Sequence, residues 1–136
     1  MEILADVNLQ SPISNLPILV IFHIKQKVNP MLYEYRVYTC HPGKREEFIK
    51  LMEEELIPFQ VSKGMVFVAS FIDEQNPEKY VWIRRFENEE ERVKLYAAVY
   101  ESDTWKNEMV GKVLACVDRS KHQITRLVPT AKSILR

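Results

Sequence analysis

Residues 31–48 read MLYEYRVYTCHPGKREEF, and three regimes follow one another inside them. Tyr33, Tyr35, Val37 and Thr39 alternate with Leu32, Glu34, Arg36 and Tyr38, which is the two-residue period of a strand. Pro42-Gly43 then supplies a fixed φ and a residue free to take positive φ, the chemistry of a type II turn. Next comes a stripe at helical spacing, Phe48, Leu51, Met52, Leu56 and Phe59, which stops near Pro58 and the Ser62-Lys63-Gly64 break. The block therefore opens an α+β domain. It contains no recognisable catalytic constellation.

Working outward, residues 65–72 and 80–86 read as two strands joined by the turn-rich Asp73-Glu74-Gln75-Asn76-Pro77, and they are expected to pair as a hairpin. Asn88 with Glu91 three residues later is a variant of the helix-capping box. Val93, Tyr96, Ala97 and Tyr100 then mark one helical face. Ser102-Asp103-Thr104 offers a second cap ahead of the stripe Trp105, Met109, Val113 and Cys116, so this crossover is expected as two helical pieces with a short break. Residues 122–128 read as a last strand, stopped by Pro129. The order βαββαβ is the ferredoxin-like plan, in which right-handed crossovers place the helices on one face of an antiparallel sheet and the first strand lies between the third and fourth.

Side-chain parity divides the sheet into two faces. One set, including Tyr33, Tyr35, Val37, Val81 and Ile83, is a plain apolar layer and is expected to face the helices. The other, including Glu34, Arg36, Tyr38, Phe67, Phe71, Trp82, Arg84 and Arg126, mixes large aromatics with charges and is too apolar to leave in water. The expectation is face-to-face homodimerisation through this second face, with Glu34, Tyr38, Phe67, Phe71, Trp82 and Arg126 at the interface. Symmetric dimers are the commonest closed assembly, and several buried aromatics would each contribute on the order of 1 kcal/mol or more.

Length and composition narrow the class. At 136 residues the chain suits one domain with a real core. Nineteen basic and nineteen acidic side chains give zero formal net charge, so no global field draws in nucleic acid or an anionic membrane. Cys40 and Cys116 lie far apart, match no metal-ligand spacing and form no disulfide framework, which points to a reducing, cytoplasmic compartment. Neither cysteine has a compelling basic neighbour, and Gly43, Gly64 and Gly111 are too scattered for a phosphate loop. No metal and no cofactor is expected.

Residues 1–30 differ in character, with Pro12, Pro17 and Pro30, no arginine, and an apolar run over 18–24. That run is far short of the roughly 20 apolar residues of a membrane span, and its flanking charges are wrong for a secretory signal. Three readings stay open: an extra edge strand at 18–24, a loosely attached tail, or an extension upstream of a natural start at Met31.

Residues 31–136 resemble the NIPSNAP family, within the wider dimeric α+β barrel superfamily. The resemblance rests on Tyr33-Glu34-Tyr35-Arg36-Val37-Tyr38-Thr39 followed by Pro42-Gly43-Lys44, on the Trp82 strand leading to Phe86 and Arg92, on Asp103-Thr104-Trp105, and on Leu127-Val128-Pro129-Thr130. These pieces, in order and at family-like spacing, span about three quarters of the chain in a single copy, with residues 1–30 outside. The resemblance implies a dimeric α+β barrel and brings no generally established catalytic set.

Candidate site residues come from the charged and aromatic positions. Arg36 and Arg84 face one glutamate, Glu34, with Arg126 nearby; such buried charges form either a network fixing register or a seat for a carboxylate or enolate. Tyr35, Tyr96 and Trp105 are either core or the lining of a pocket for a small apolar ligand between helices and sheet. His41 and His122 fall at one end of neighbouring strands, with no carboxylate at fixed spacing to orient them. Two function classes follow: a dimeric binding or interaction module, or a metal-independent small-molecule enzyme of the cofactor-independent oxygenase or isomerase type. Fold alone does not choose between them.

Overall fold

The alternation that opens the domain becomes its central strand. The structure is a computed structural model and describes residues 30–136, so the expectations for 1–29 lie outside the described residues. Strand β1 is Leu32–Thr39. Helix α1, Arg45–Leu51, continues through a π-helical turn, Met52–Leu56, into α2, Ile57–Ser62. Strands β2, Val66–Ile72, and β3, Lys79–Phe86, form the hairpin. Helix α3 is Glu89–Tyr100, and a second π turn, Trp105–Met109, leads into α4, Val110–Cys116. Strand β4, Gln123–Leu127, closes a four-stranded antiparallel sheet in the order β2-β3-β1-β4. The βαββαβ plan stands, with β1 between β3 and β4 as the plan requires.

Local chemistry sets the corners. Gly43 has φ +76°, and Lys44 N–H donates to the His41 carbonyl at 2.9 Å, closing the turn that Pro42-Gly43 encodes. Gly64, at φ +106°, ends α2 while Met65 N–H reaches back to the Gln60 carbonyl at 3.1 Å. Pro58 does not stop the first helix. It is the second residue of α2, just past the widened π turn, where a residue without an N–H is carried without breaking the run. At the start of α3 the Asn88 side chain accepts from Glu91 N–H at 2.8 Å, and the Glu91 carboxylate accepts from Glu87 N–H at 2.5 Å. The second helical break falls where Ser102 Oγ accepts from Trp105 N–H at 3.2 Å.

The two sheet faces are exchanged relative to expectation. Leu32, Glu34, Arg36, Tyr38, Tyr80, Trp82, Arg84 and Phe86 are buried on the helix side. Tyr38, Tyr80 and Trp82 pack there with Phe48, Met52, Leu56, Met109 and Val113. Glu34, Tyr38 and Trp82 are therefore not on an open face, and Trp82 is only 2 % exposed within one copy of the chain. The other side carries the plain layer, in which Tyr35 pairs with Ile83 and Val37 with Val81. Tyr35 is 37 % exposed there. Alternation is symmetric between faces, and the charged set goes under the helices because the helices bring it hydrogen-bond partners.

Phe67 and Phe71 share parity but not a face. Phe67 pairs with Arg84 and Ala69 with Ile83, so Val68 is the extra residue of a bulge that reverses the alternation. Phe67 stacks on Trp82 with ring centroids 5.1 Å apart, whereas Phe71, opposite Val81 and 55 % exposed, belongs to the open face. Arg126, opposite Glu34 on the edge strand, is exposed and paired with Glu89.

Candidate functional site

The site grows from one carboxylate on the central strand. Glu34 faces Arg84 across β3 and is 2 % exposed. Arg84 Nε donates to Glu34 Oε1 at 2.5 Å, Tyr96 Oη donates to Oε2, and Arg36 Nε lies 3.4 Å from Oε1. Burial alone would push the Glu34 carboxyl up, but Arg84, Arg36 and the Tyr96 hydroxyl together hold it below the usual carboxylate range. Arg84 is sealed completely, and its Nη1 turns to helix side chains while its Nη2 has no hydrogen-bond partner among the described residues. Its Nη1 donates to Gln60 Oε1 at 2.7 Å and to Tyr100 Oη at 2.8 Å. Its guanidinium also lies 4.9 Å from the rings of Trp82 and Tyr96 and 5.6 Å from those of Phe86 and Tyr100.

Arg36 is the second cation and stands at the edge of this cluster. Its Nη1 donates to Tyr38 Oη and its Nη2 to Tyr96 Oη, both at 2.7 Å. Two guanidinium groups share one carboxylate, so the cluster keeps a positive excess. Beside it a cavity of about 450 Å³ opens between sheet and helices, lined by Arg36, Tyr38, Tyr96, Tyr100, Trp105, Val110, Val113, Leu114, Arg119, His122 and Ile124. The His122 ring stacks on Tyr38 with centroids 3.6 Å apart and planes within 2°. Burial, with Arg36 and Arg119 nearby, pushes the His122 imidazole down to about 4, so it is neutral at pH 7.

Of the five sequence-derived ligand candidates, Arg36, Tyr96 and Trp105 meet in this cavity. Arg84 lies sealed behind them, and Tyr35 points to the opposite sheet face. His122 lines the cavity, while His41 Nε2 lies 3.2 Å from the Leu114 carbonyl. Gln60 was not among the candidates, although it sits on the apolar row Phe48, Met52, Leu56 at four-residue spacing, where a polar side chain signals a buried partner. Cys40 and Cys116 are free and buried, and burial pushes the Cys40 thiol up to about 11, away from nucleophile chemistry. Among the described residues no group of His, Cys, Asp and Glu is placed to hold a metal ion, and no helix is long and apolar enough to cross a membrane.

The family model for NIPSNAP matches residues 33–132, from the first residues of β1 to beyond β4. The chain belongs to the NIPSNAP family. Protein NipSnap homolog 3A of Homo sapiens is 25% identical over 104 residues, which is 75% of this chain and 41% of that protein. This NIPSNAP chain thus spans about two fifths of the length of that curated relative. Among solved structures, a NIPSNAP family protein with unknown function from Agrobacterium tumefaciens superposes with a TM-score of 0.71 at 24% identity, covering 79% of this chain and 96% of that one. An uncharacterized NIPSNAP-like domain protein from Burkholderia xenovorans gives 0.69 at 23%, covering 77% and 90%. These likenesses establish the fold.

Two outcomes follow for the NIPSNAP domain. Glu34→Gln leaves two buried guanidinium groups without a counter-charge and should destabilise the fold by about 3–5 kcal/mol, read as the shift in urea midpoint; a loss under 1 kcal/mol would remove Glu34 from its central position. The second concerns His122, whose folded value near 4 lies below the ordinary 6.5. The unfolded chain binds the extra proton first, so stability should fall as pH drops from about 6.5 towards 4. His122→Phe keeps the stack on Tyr38 and should flatten that part of the melting-temperature profile, whereas a profile parallel to the parent would show that the imidazole does not contribute.

Proposed function

We propose that this NIPSNAP domain is a homodimeric binding module whose cavity between helices and sheet takes a small organic anion with an apolar body. The observation that carries this reading is Arg36, a cation in excess over its one carboxylate, at the wall of an aromatic cavity. Such a group favours a ligand that brings negative charge and little water. The enzyme alternative needs a group to move a proton. Glu34 is occupied by its donors and His122 is a weak base at its low value, so binding is the better supported reading.

The dimer reading transfers to the other sheet face. Tyr35, Val37, Val81, Ile83 and Phe71 form a contiguous apolar layer left uncovered by the helices, and the superfamily resemblance supplies a second copy as its occupant. The two buried thiols suit a reducing compartment, in keeping with a cytoplasmic setting.

Arg36→Met should abolish binding of a small aryl carboxylate, tested with 2-naphthoate by titration calorimetry, while the domain stays folded; retained affinity would sink the site. Ile83→Glu should convert the dimer to a folded monomer in native mass spectrometry, since it places a charge on the open layer without entering the core. An intact Ile83→Glu dimer would exclude that face.

A further inference from the structure

A count of hydrogen-bonding capacity narrows what the cavity can accept. Tyr38 Oη accepts from Arg36, and Tyr100 Oη accepts from Arg84 at 2.8 Å. Neither hydroxyl proton has an acceptor among the described residues, and both rings line the cavity. A phenol whose oxygen accepts from a guanidinium is a stronger donor through its own O–H. Arg36 uses one N–H of each terminal nitrogen on Tyr38 and Tyr96, which leaves one on each. Tyr96 differs from the other two phenols because its proton is committed to Glu34.

The polar wall is therefore mainly one of donors, with one ring nitrogen of the neutral His122 imidazole as the acceptor beside them. Glu34, the nearest carboxylate, is closed off behind Arg84 and Tyr96. Burial also pushes the Tyr38 phenol up, which keeps its proton in place. Around these donors stand flat or aliphatic surfaces: Trp105 edge-on to Tyr100 at 4.9 Å, with Val113, Leu114 and Ile124.

We infer that Tyr38 and Tyr100, each primed by an arginine, act with Arg36 as an oxyanion receptor that selects planar carboxylates carrying an aromatic body and rejects their neutral, donor-bearing counterparts. The inference rests on the anion-binding reading of the cavity and adds the residues that discriminate. A carboxylate offers about four acceptor positions and no donor, which matches the set of two phenol O–H and two guanidinium N–H groups. A primary amide of the same shape offers fewer acceptor positions and brings two N–H groups, of which the His122 imidazole can take one, so at least one donor is left facing donors, an arrangement that costs affinity.

The test is calorimetric titration of the dimer-competent full chain with 2-naphthoate and with neutral 2-naphthamide, for the parent, Tyr38→Phe, Tyr100→Phe and Arg36→Met. The parent should bind naphthoate at least tenfold more tightly than naphthamide. Each Tyr→Phe variant should lose about tenfold for naphthoate while its naphthamide affinity stays within twofold. Naphthoate binding that needs Arg36 but ignores both tyrosine hydroxyls would overturn the receptor and leave the anion site standing. Absence of naphthoate binding to the parent would overturn both. Equal parent affinities for the two probes would also overturn the inference, and that comparison needs no variant to fold.

Discussion

The ion pair between Glu34 on the central strand and Arg84 on its neighbour is the constraint on which the rest of the structure depends. A carboxylate and a guanidinium removed from water are costly unless every remaining lone pair and proton is met. Two helices meet most of those needs, with Gln60 from α2 and Tyr96 and Tyr100 from α3, and leave only Arg84 Nη2 of that pair without a hydrogen-bond partner among the described residues. The pair consequently dictates which sheet face the helices cover. It also joins the two apolar clusters, since Arg84 lies over Trp82 of one and Phe86 of the other.

One charge in this arrangement has no counterpart. Arg36 stands on the same strand and face as Glu34 and shares its carboxylate at 3.4 Å, and its guanidinium terminates at the cavity wall. The interior thus holds a polar centre that is sealed on its Arg84 side and opens to the cavity on its Arg36 side. The opposite sheet face presents the apolar layer of Tyr35, Val37, Val81, Ile83 and Phe71, with no comparable buried charge cluster among the described residues. The proposed recognition of a small molecule and the proposed association with a second copy would in this way fall on different surfaces of one four-stranded sheet.

Much of this was legible along the chain because it depends on near neighbours. The β1 alternation, the Pro42-Gly43 turn, the Asn88 cap and the break before Trp105 are all local, and each element formed where its signal lies. Alternation alone set Arg36 on the face away from the helices, apart from Tyr96 and Trp105, and it is the exchange of faces that brings the three together. The orientation of the sheet needed more. A period of two distinguishes the faces without labelling them, and the label came from partners about 60 residues away, such as Tyr96 for Glu34. Trp82 therefore looked like an interface residue and is a core residue. The stack of His122 on Tyr38 follows from where the chain turns into β4, and no spacing in the sequence marks it.

The bulge at Val68 has its own consequence for how this domain tolerates change. Upstream of it β2 gives Phe67 to the core, and downstream it gives Phe71 to the open face. The strand thus counts residues more strictly than it reads them. Replacing Val68 by another β-former keeps both phenylalanines in place, whereas losing one residue between positions 67 and 71 moves a whole half-strand to the wrong side. Variation at this edge of the sheet should accumulate as substitutions and be intolerant of insertions or deletions, the reverse of what an exposed edge strand ordinarily permits.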